Sequence, residues 1–129
     1  MLIDTQSYDL REAAILTTSE VFHELSTQRK ALQTSNQLTL LIDFTKGSLT
    51  NVEIKIYTSN DGEDWYAVPV LGYSSGVGTA NDLVLTLTTD MKFSFEVPIN
   101  TKYLRVGAKG TGTVTGSSLS LIANLGSKS

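Results

Sequence analysis

Cysteine is absent from the 129-residue chain, and histidine occurs once, as His23. The lack of cysteine excludes disulfide staples, thiolate metal sites and sulfur nucleophiles together. A single histidine cannot build a two-histidine metal centre. As a base it would need a nucleophile and an orienting acid, and nothing marks out nearby Ser26 or Glu24 for those roles. His23 therefore reads as a solvent-facing loop residue. Charge is also sparse, at 18% of residues, and of the ten basic residues only Arg29 and Lys30 are adjacent. With a net charge of −3 and a pI near 5.0, no basic stripe is available to neutralise phosphates, so nucleic acid is not an expected partner. No apolar run approaches the ~18 residues a membrane span needs; stretches such as 40-LLI-42 stay short. The opening MLIDTQSYDL lacks a basic region followed by an apolar core, so neither a secretory signal nor a membrane partner is expected.

Serine and threonine, by contrast, account for 31 of the 129 residues. Threonine is β-branched and suits a pleated surface, whereas surface helices favour Glu, Lys and Ala. Period-two alternation then recurs along the chain. It places Leu38, Leu40, Ile42 and Phe44 on one face of 38–44, and Val52, Ile54 and Ile56 on one face of 52–58. The same pattern gives Leu83, Leu85 and Leu87; Phe93, Phe95 and Val97; Leu104 and Val106; and Leu119 and Leu121. Six such segments predict strands with one buried face. Two further strands are expected at 65-WYAVPV-70, with Pro69 near an edge, and at 13-AAILTTSEVF-22. Gly, Ser, Asn and Asp clusters at 45–51, 72–82, 98–101 and 109–118 read as connections. The expected fold is all-β, a two-sheet antiparallel β-sandwich of jelly-roll type with about eight strands. Residues 1–12 are expected as an N-terminal arm, 13–125 as a single sandwich domain and 126–129 as a tail. The stretch 22–36 is expected as a loop with a helical turn.

The most site-like stretch is 58-TSNDGEDWYAVP-69, which crowds acids against the only tryptophan. A calcium loop needs six to eight oxygens, and the EF-hand form closes on a glutamate at its twelfth position. Here the acids are bunched between two strand patterns and no such glutamate follows. Asn60-Asp61-Gly62 is instead a reverse-turn signal, with Trp65 folding back onto the sheet. The glycines of 107-GAKGTGTVTG-116 lack phosphate-loop spacing and precede no helix, so they read as a hairpin turn. No GxSxG, HExxH or dinucleotide fingerprint occurs. A glycosidase would need two carboxylates held ~5–10 Å apart in a cleft, which a small sandwich has little material to build. No catalytic, cofactor-binding or metal residues are therefore assigned, no cofactor is expected, and the chain is not expected to be an enzyme. Tyr57, Tyr66, Tyr73 and Tyr103 fall off the core faces and suit either sheet cover, sugar stacking or a protein interface.

Two long stretches, 39-TLLIDFTKGSLTNVEIKIYTSNDGEDWYAV-68 and 102-KYLRVGAKGTGTVTGSSLSLIANLG-126, resemble small structural proteins from the head and tail modules of tailed bacteriophages and prophages. The similar pieces are the DFTKGSLT strand-turn, the SNDGxxWY turn and the closing KYLRVxxKGTGTVTGSSLSL hairpin. Ser59, Asn60, Asp61, Gly62, Trp65 and Tyr103 to Val106 also look like discoidin-type, galactose-binding-like jelly rolls, in which the late arginine packs in the barrel wall. The resemblance implies a virion structural protein, a capsid decoration (cement) or tail-associated subunit. Its implied partners are the major capsid protein or tail proteins and copies of itself, with a homo-oligomer such as a trimer expected and a glycan possible. Its implied location is the virion, after synthesis in the host cytoplasm.

Overall fold

The computed structural model describes residues 2–25, 37–98 and 103–128, and among these it is all strand and turn, with no helix. Eleven strands occur in the described residues: β1 (Leu2–Ala14), β2 (Val21–Leu25), β3 (Gln37–Thr45), β4 (Leu49–Ser59), β5 (Tyr66–Ala67) and β6 (Pro69–Ser74), then β7 (Val77–Asp82), β8 (Val84–Leu87), β9 (Met91–Pro98), β10 (Tyr103–Gly112) and β11 (Ser118–Lys128). Sheet A has the order β1-β11-β3-β9. Sheet B has the order β2-β10-β4-β5, with β8 also paired to β4. All these pairings are antiparallel.

Eight of the strands form a jelly roll, and the pairing makes its logic plain. The first pairs with the last (β1 with β11), the second with the penultimate (β2 with β10), then β3 with β9 and β4 with β8. The chain is thus one long hairpin, wrapped so that successive strand pairs fall alternately in sheet A and sheet B. Cross-pairs β11 with β3 and β10 with β4 zip the turns of the wrap together. The expected jelly roll is present, and β5, β6 and β7 are an insertion at the hairpin's tip, between β4 and β8.

Alternation supplies the core. Leu38, Leu40, Ile42, Phe44, Leu119, Leu121 and Ala123 point inward from sheet A. Val52, Ile54, Ile56, Leu87, Leu104, Val106 and Ala108 face them from sheet B, all buried. Phe93 and Phe95 pack against this cluster from β9, and Leu85 from β8. Each buried Val, Leu, Ile or Phe side chain is worth about 1.5–3 kcal/mol relative to exposure, so this two-layer apolar slab is what holds a chain without cross-links together.

Several boundaries differ from the sequence reading. Residues 2–12 are not an arm, because they belong to β1 and pair along β11 from Leu2 opposite Lys128 to Ala14 opposite Leu119. The tail expected from residue 126 is likewise the end of β11, through Lys128. No single strand spans 13–22. Residues 15–20 carry the chain from sheet A to sheet B, as a jelly-roll corner must. The corner is pinned by buried Leu16, by the Gly110 N–H donating to Thr17 O at 2.8 Å and by the Leu16 N–H donating to Ser117 Oγ at 3.2 Å. Strand β10 continues to Gly112, which shortens the expected 109–118 connection. Residues 72–82 are the paired strands β6 and β7 where a loop was expected. The helical turn expected within 22–36 falls largely outside the described residues, while its first residues are strand β2.

Candidate functional site

The acidic stretch is a self-satisfied turn at the end of β4. Ser59 is completely buried, and its hydroxyl oxygen accepts from the Gly62 N–H at 2.9 Å and the Asp61 N–H at 3.3 Å. The hydroxyl donates in turn to Asp61 Oδ1 at 3.0 Å. That carboxylate oxygen also accepts from the Glu63 and Asp64 N–H groups, both at 2.8 Å. Backbone donors from Asp64 and Glu63 hold the Asp61 carboxyl below its ordinary pKa, since they stabilise its charged form. Asp61 is therefore committed to capping its own turn, as expected from Asn60-Asp61-Gly62. No group of three or more His, Cys, Asp or Glu side chains converges on a metal-sized space among the described residues.

Trp65 does fold back on the sheet, but onto its outer face. The Arg105 guanidinium lies 3.8 Å from the Phe22 ring centroid, 4.4 Å from that of Trp65 and 5.1 Å from that of Tyr57. Phe22 and Tyr57 meet edge to face at 5.7 Å and 71°. Register produces this cluster: Arg105 sits opposite Tyr57, while Phe22 on β2 sits opposite Gly107 one step along. Beside it the Tyr57 hydroxyl donates to Glu20 Oε2 at 3.1 Å. Burial, followed by the hydrogen bond to Glu20 and its negative charge, pushes the Tyr57 phenol up to about 12. Gly107 leaves room for this arrangement, since a Cβ there would lie 2.3 Å from Glu20 Oε2. Each guanidinium–ring contact is worth about 0.5–1 kcal/mol at a partly exposed site, so the cluster clamps β2, β4 and β10 together. With the cation already seated among three rings, those rings are engaged with protein.

The four tyrosines accordingly part company. Tyr57 belongs to the arginine cluster, and the Tyr103 ring lies 3.4–3.7 Å from the position of a Cβ on Gly62, under the acidic turn. Tyr66 and Tyr73 are left free, at 67% and 80% exposure. His23 lies on β2 opposite Val106, in a strand where a loop was expected; its side chain is outside the described residues.

The outstanding surface feature is the β6–β7 ribbon. It pairs from Pro69 opposite Asp82 to Ser74 opposite Val77, and closes through Ser75-Gly76, both left-handed at φ 51° and 78°. Two left-handed central residues make the type I′ turn that suits a twisted hairpin. Its root is fixed by Val68, whose N–H donates to Ile56 O and whose carbonyl accepts from the Leu83 N–H, both at 2.9 Å. Beyond that root, among the described residues, it makes no extensive contact with either sheet. One face of the ribbon carries Leu71 and Tyr73, the other Val70 and Val77, and the four are 50–80% exposed. No residue from 69 to 81 is charged. Sequence reasoning took this segment for a loop because Gly72, Ser74, Ser75, Gly76 and Gly78 dominate it. The legible signal was Ser75-Gly76 flanked by Tyr73 and Val77, a two-residue hairpin turn between β-forming side chains.

No protein-family model matches the chain, and no curated protein matches it. Among solved structures, the SPBc2 prophage-derived protein YomS shares the fold, with a TM-score of 0.55 over 95% of this chain and 92% of that one, at 19% sequence identity. The jelly-roll pattern is therefore shared with a prophage-derived protein along nearly the whole of both chains.

Proposed function

We propose that this chain is a non-enzymatic structural subunit of a phage particle, a capsid decoration protein that stabilises the shell through contacts with capsid protein and with its own copies. The observation that carries this reading is the ribbon held clear of the sandwich, with exposed Val70, Leu71, Tyr73 and Val77 and no charge from 69 to 81. A two-stranded hairpin is marginal in water by itself, so a ribbon apolar on both faces gains its stability by being covered. The fold shared with a prophage-derived protein supports the phage setting, and the Ser/Thr-rich, charge-poor surface suits a packed shell. Mechanically, such a subunit acts by buried area: opening the shell requires breaking contacts that span neighbouring capsomers. The test is to purify particles from the lysate that carries this coding sequence and quantify the chain by mass spectrometry and labelled-antibody imaging. Regular, high copy number on heads supports the reading, as does earlier heat opening of particles that lack the chain. Absence from the particles sinks it.

A second reading, recognition of host glycans from a tail position, draws on the exposed Tyr66 and Tyr73, since a free ring face can stack on a sugar. Labelling at the tail tip, together with saturable binding on a glycan array lost in Tyr73→Ser, would favour it over decoration.

A further inference from the structure

We propose that two copies join edge to edge through β9, antiparallel about a two-fold axis at Ser94, so that sheet A runs on from one copy into the other. This deepens the reading above, that the chain works partly through contacts with its own copies, by naming the contact. Strand β9 ends sheet A: it pairs with β3 on one side, and among the described residues no strand pairs with it on the other. Natural sheets blunt such edges with short strands, bulges, charges or proline, because a bare row of N–H and C=O groups templates another strand. The other edges of the two sheets follow that rule. Strand β1 is interrupted by three register shifts, and β2, β5 and β8 run for only five, two and four residues. Strand β9 does not. It keeps unbroken register with β3 over eight residues, its core side carries Phe93 and Phe95 where a charge would block pairing, and its proline is the last residue, Pro98.

The strand's own sequence selects a second copy as the occupant. By side-chain class, 91-MKFSFEV-97 reads alike in both directions about Ser94, except that its two charges have opposite signs. Antiparallel pairing centred on Ser94 therefore sets Lys92 opposite the second copy's Glu96, and Glu96 opposite its Lys92, on the exposed face. On the core side, Phe93 falls opposite the second copy's Phe95. Both phenylalanines are half-buried, since they pack on the core from the last strand of the sheet. Aromatic pairs and opposite charges set directly across an antiparallel pair stabilise it. Within one copy, Glu96 lies opposite Thr39 and makes no ion pair among the described residues, whereas Lys92 Nζ lies 3.8 Å from Asp43 Oδ2. In the dimer each lysine then stands between two acids, Asp43 of its own copy and Glu96 of the other, so the exposed Glu96 gains a cation. These rows offset the general repulsion between two copies at net charge −3. Sliding the register by two residues either way puts Lys92 opposite Ser94 or Pro98 and loses both ion pairs, so charge also fixes the register. The contact is isologous and closes at two copies.

The experiment is sedimentation velocity across about 1–100 μM on the full chain, on Lys92→Glu, on Glu96→Lys and on the variant carrying both exchanges. Far-UV circular dichroism and urea unfolding establish that each is folded, and both positions are exposed, so the core is untouched. The native chain should dimerise, and each single variant should associate about tenfold more weakly, because its like-charge contact is made twice about the two-fold. The double exchange, and an equimolar mixture of the two single variants, should restore dimerisation, since every charge again faces its opposite. Glu96→Lys separates this register from general repulsion. It moves the net charge from −3 to −1, which would tighten a contact governed by net charge alone, yet here it should weaken it. A native chain that stays monomeric at the top of the range overturns the inference. So does a dimer indifferent to Glu96→Lys or tightened by it, or a mixture of single variants that stays unpaired. A dimer lost in Tyr73→Ser but kept in Glu96→Lys would place the contact at the ribbon and overturn it likewise. A monomer that still decorates particles would leave the structural-subunit reading standing without this contact. A dimer with the expected charge pattern but absent from particles would do the reverse.

Discussion

Replacing Gly47 by alanine should be among the most damaging single-methyl changes in the chain, and the facing glycine provides the control. Gly47 has φ 56° in the turn between β3 and β4, a conformation L side chains resist. A Cβ there would lie 2.4 Å from the carbonyl carbon of Gly116 and 2.6 Å from the carbonyl oxygens of Gly116 and Thr115. These are backbone atoms, and the Ser48 N–H donates to that same Thr115 oxygen at 2.9 Å, so the two turns cannot separate without losing the bond. Left-handed strain of about 1–2 kcal/mol, overpacking of about 1–3 and a weakened hydrogen bond of about 1 bring the expected loss to roughly 3–6 kcal/mol. Gly116 has a comparable φ of 74°, but a Cβ there meets only the Gly47 Cα at 3.6 Å, an ordinary contact. Gly116→Ala should therefore cost the strain alone, about 1–2 kcal/mol. Urea unfolding followed by tryptophan fluorescence reads both, provided the m-value is unchanged. In thermal melts the gap corresponds to roughly 4 °C per kcal/mol for a domain this size. Equal losses for the two alanines would refute the argument, since both would then report only φ and not the contact between the turns.

Other consequences concern the outer face of sheet B and its turn. Because the folded-state phenol of Tyr57 is raised from 10.0 to about 12, its contribution is fully present below pH 10 and is lost as pH rises from 10 to 12. Urea midpoints at pH 9 and pH 11 should differ in that direction. The difference should shrink in Glu20→Gln, which removes the nearby charge, and ultraviolet titration of tyrosinate would show Tyr57 ionising closer to 10. Asp61→Asn keeps an acceptor oxygen for the Glu63 and Asp64 amides and should preserve their hydrogen-exchange protection, whereas Asp61→Ala should abolish it. Since the Asp61 carboxyl is held below its ordinary value, its contribution is present above that value and fades as pH falls through the lowered one. Arg105→Met keeps the apolar stem but removes the stacked cation. Trp65 emission should change, and with three rings losing it the cost should be about 1–3 kcal/mol, measured by the same urea unfolding.

Alternation of apolar and polar residues fixed which side of each strand would be buried before any pairing was known. Leu38 to Phe44, Val52 to Ile56, Leu104 with Val106, and Leu119 with Leu121 all lie inward as their spacing requires, because a strand turns successive side chains to opposite faces. The Asn60-Asp61-Gly62 turn was equally legible, being built from bonds between residues two and three apart. Edges and corners were not legible. Residues 1–12 looked like an arm because β1 draws its order from β11, more than a hundred residues away, and pairing partners leave no trace in local spacing. For the same reason no pattern near Arg105 announces that Phe22, Tyr57 and Trp65 will surround it. That cluster exists only because β2 and β4 flank β10 in one register. The segment 69–82 had the composition of a loop, and its hairpin turn was visible only on a closer reading. That it stands away from both sheets with its apolar residues uncovered depends on where the tip of the wrapped hairpin falls. Local chemistry thus determined the strands, their buried faces and one turn. The tertiary fold alone decided which apolar residues would be left on the outside, because exposure depends on which strands and turns come to lie over one another.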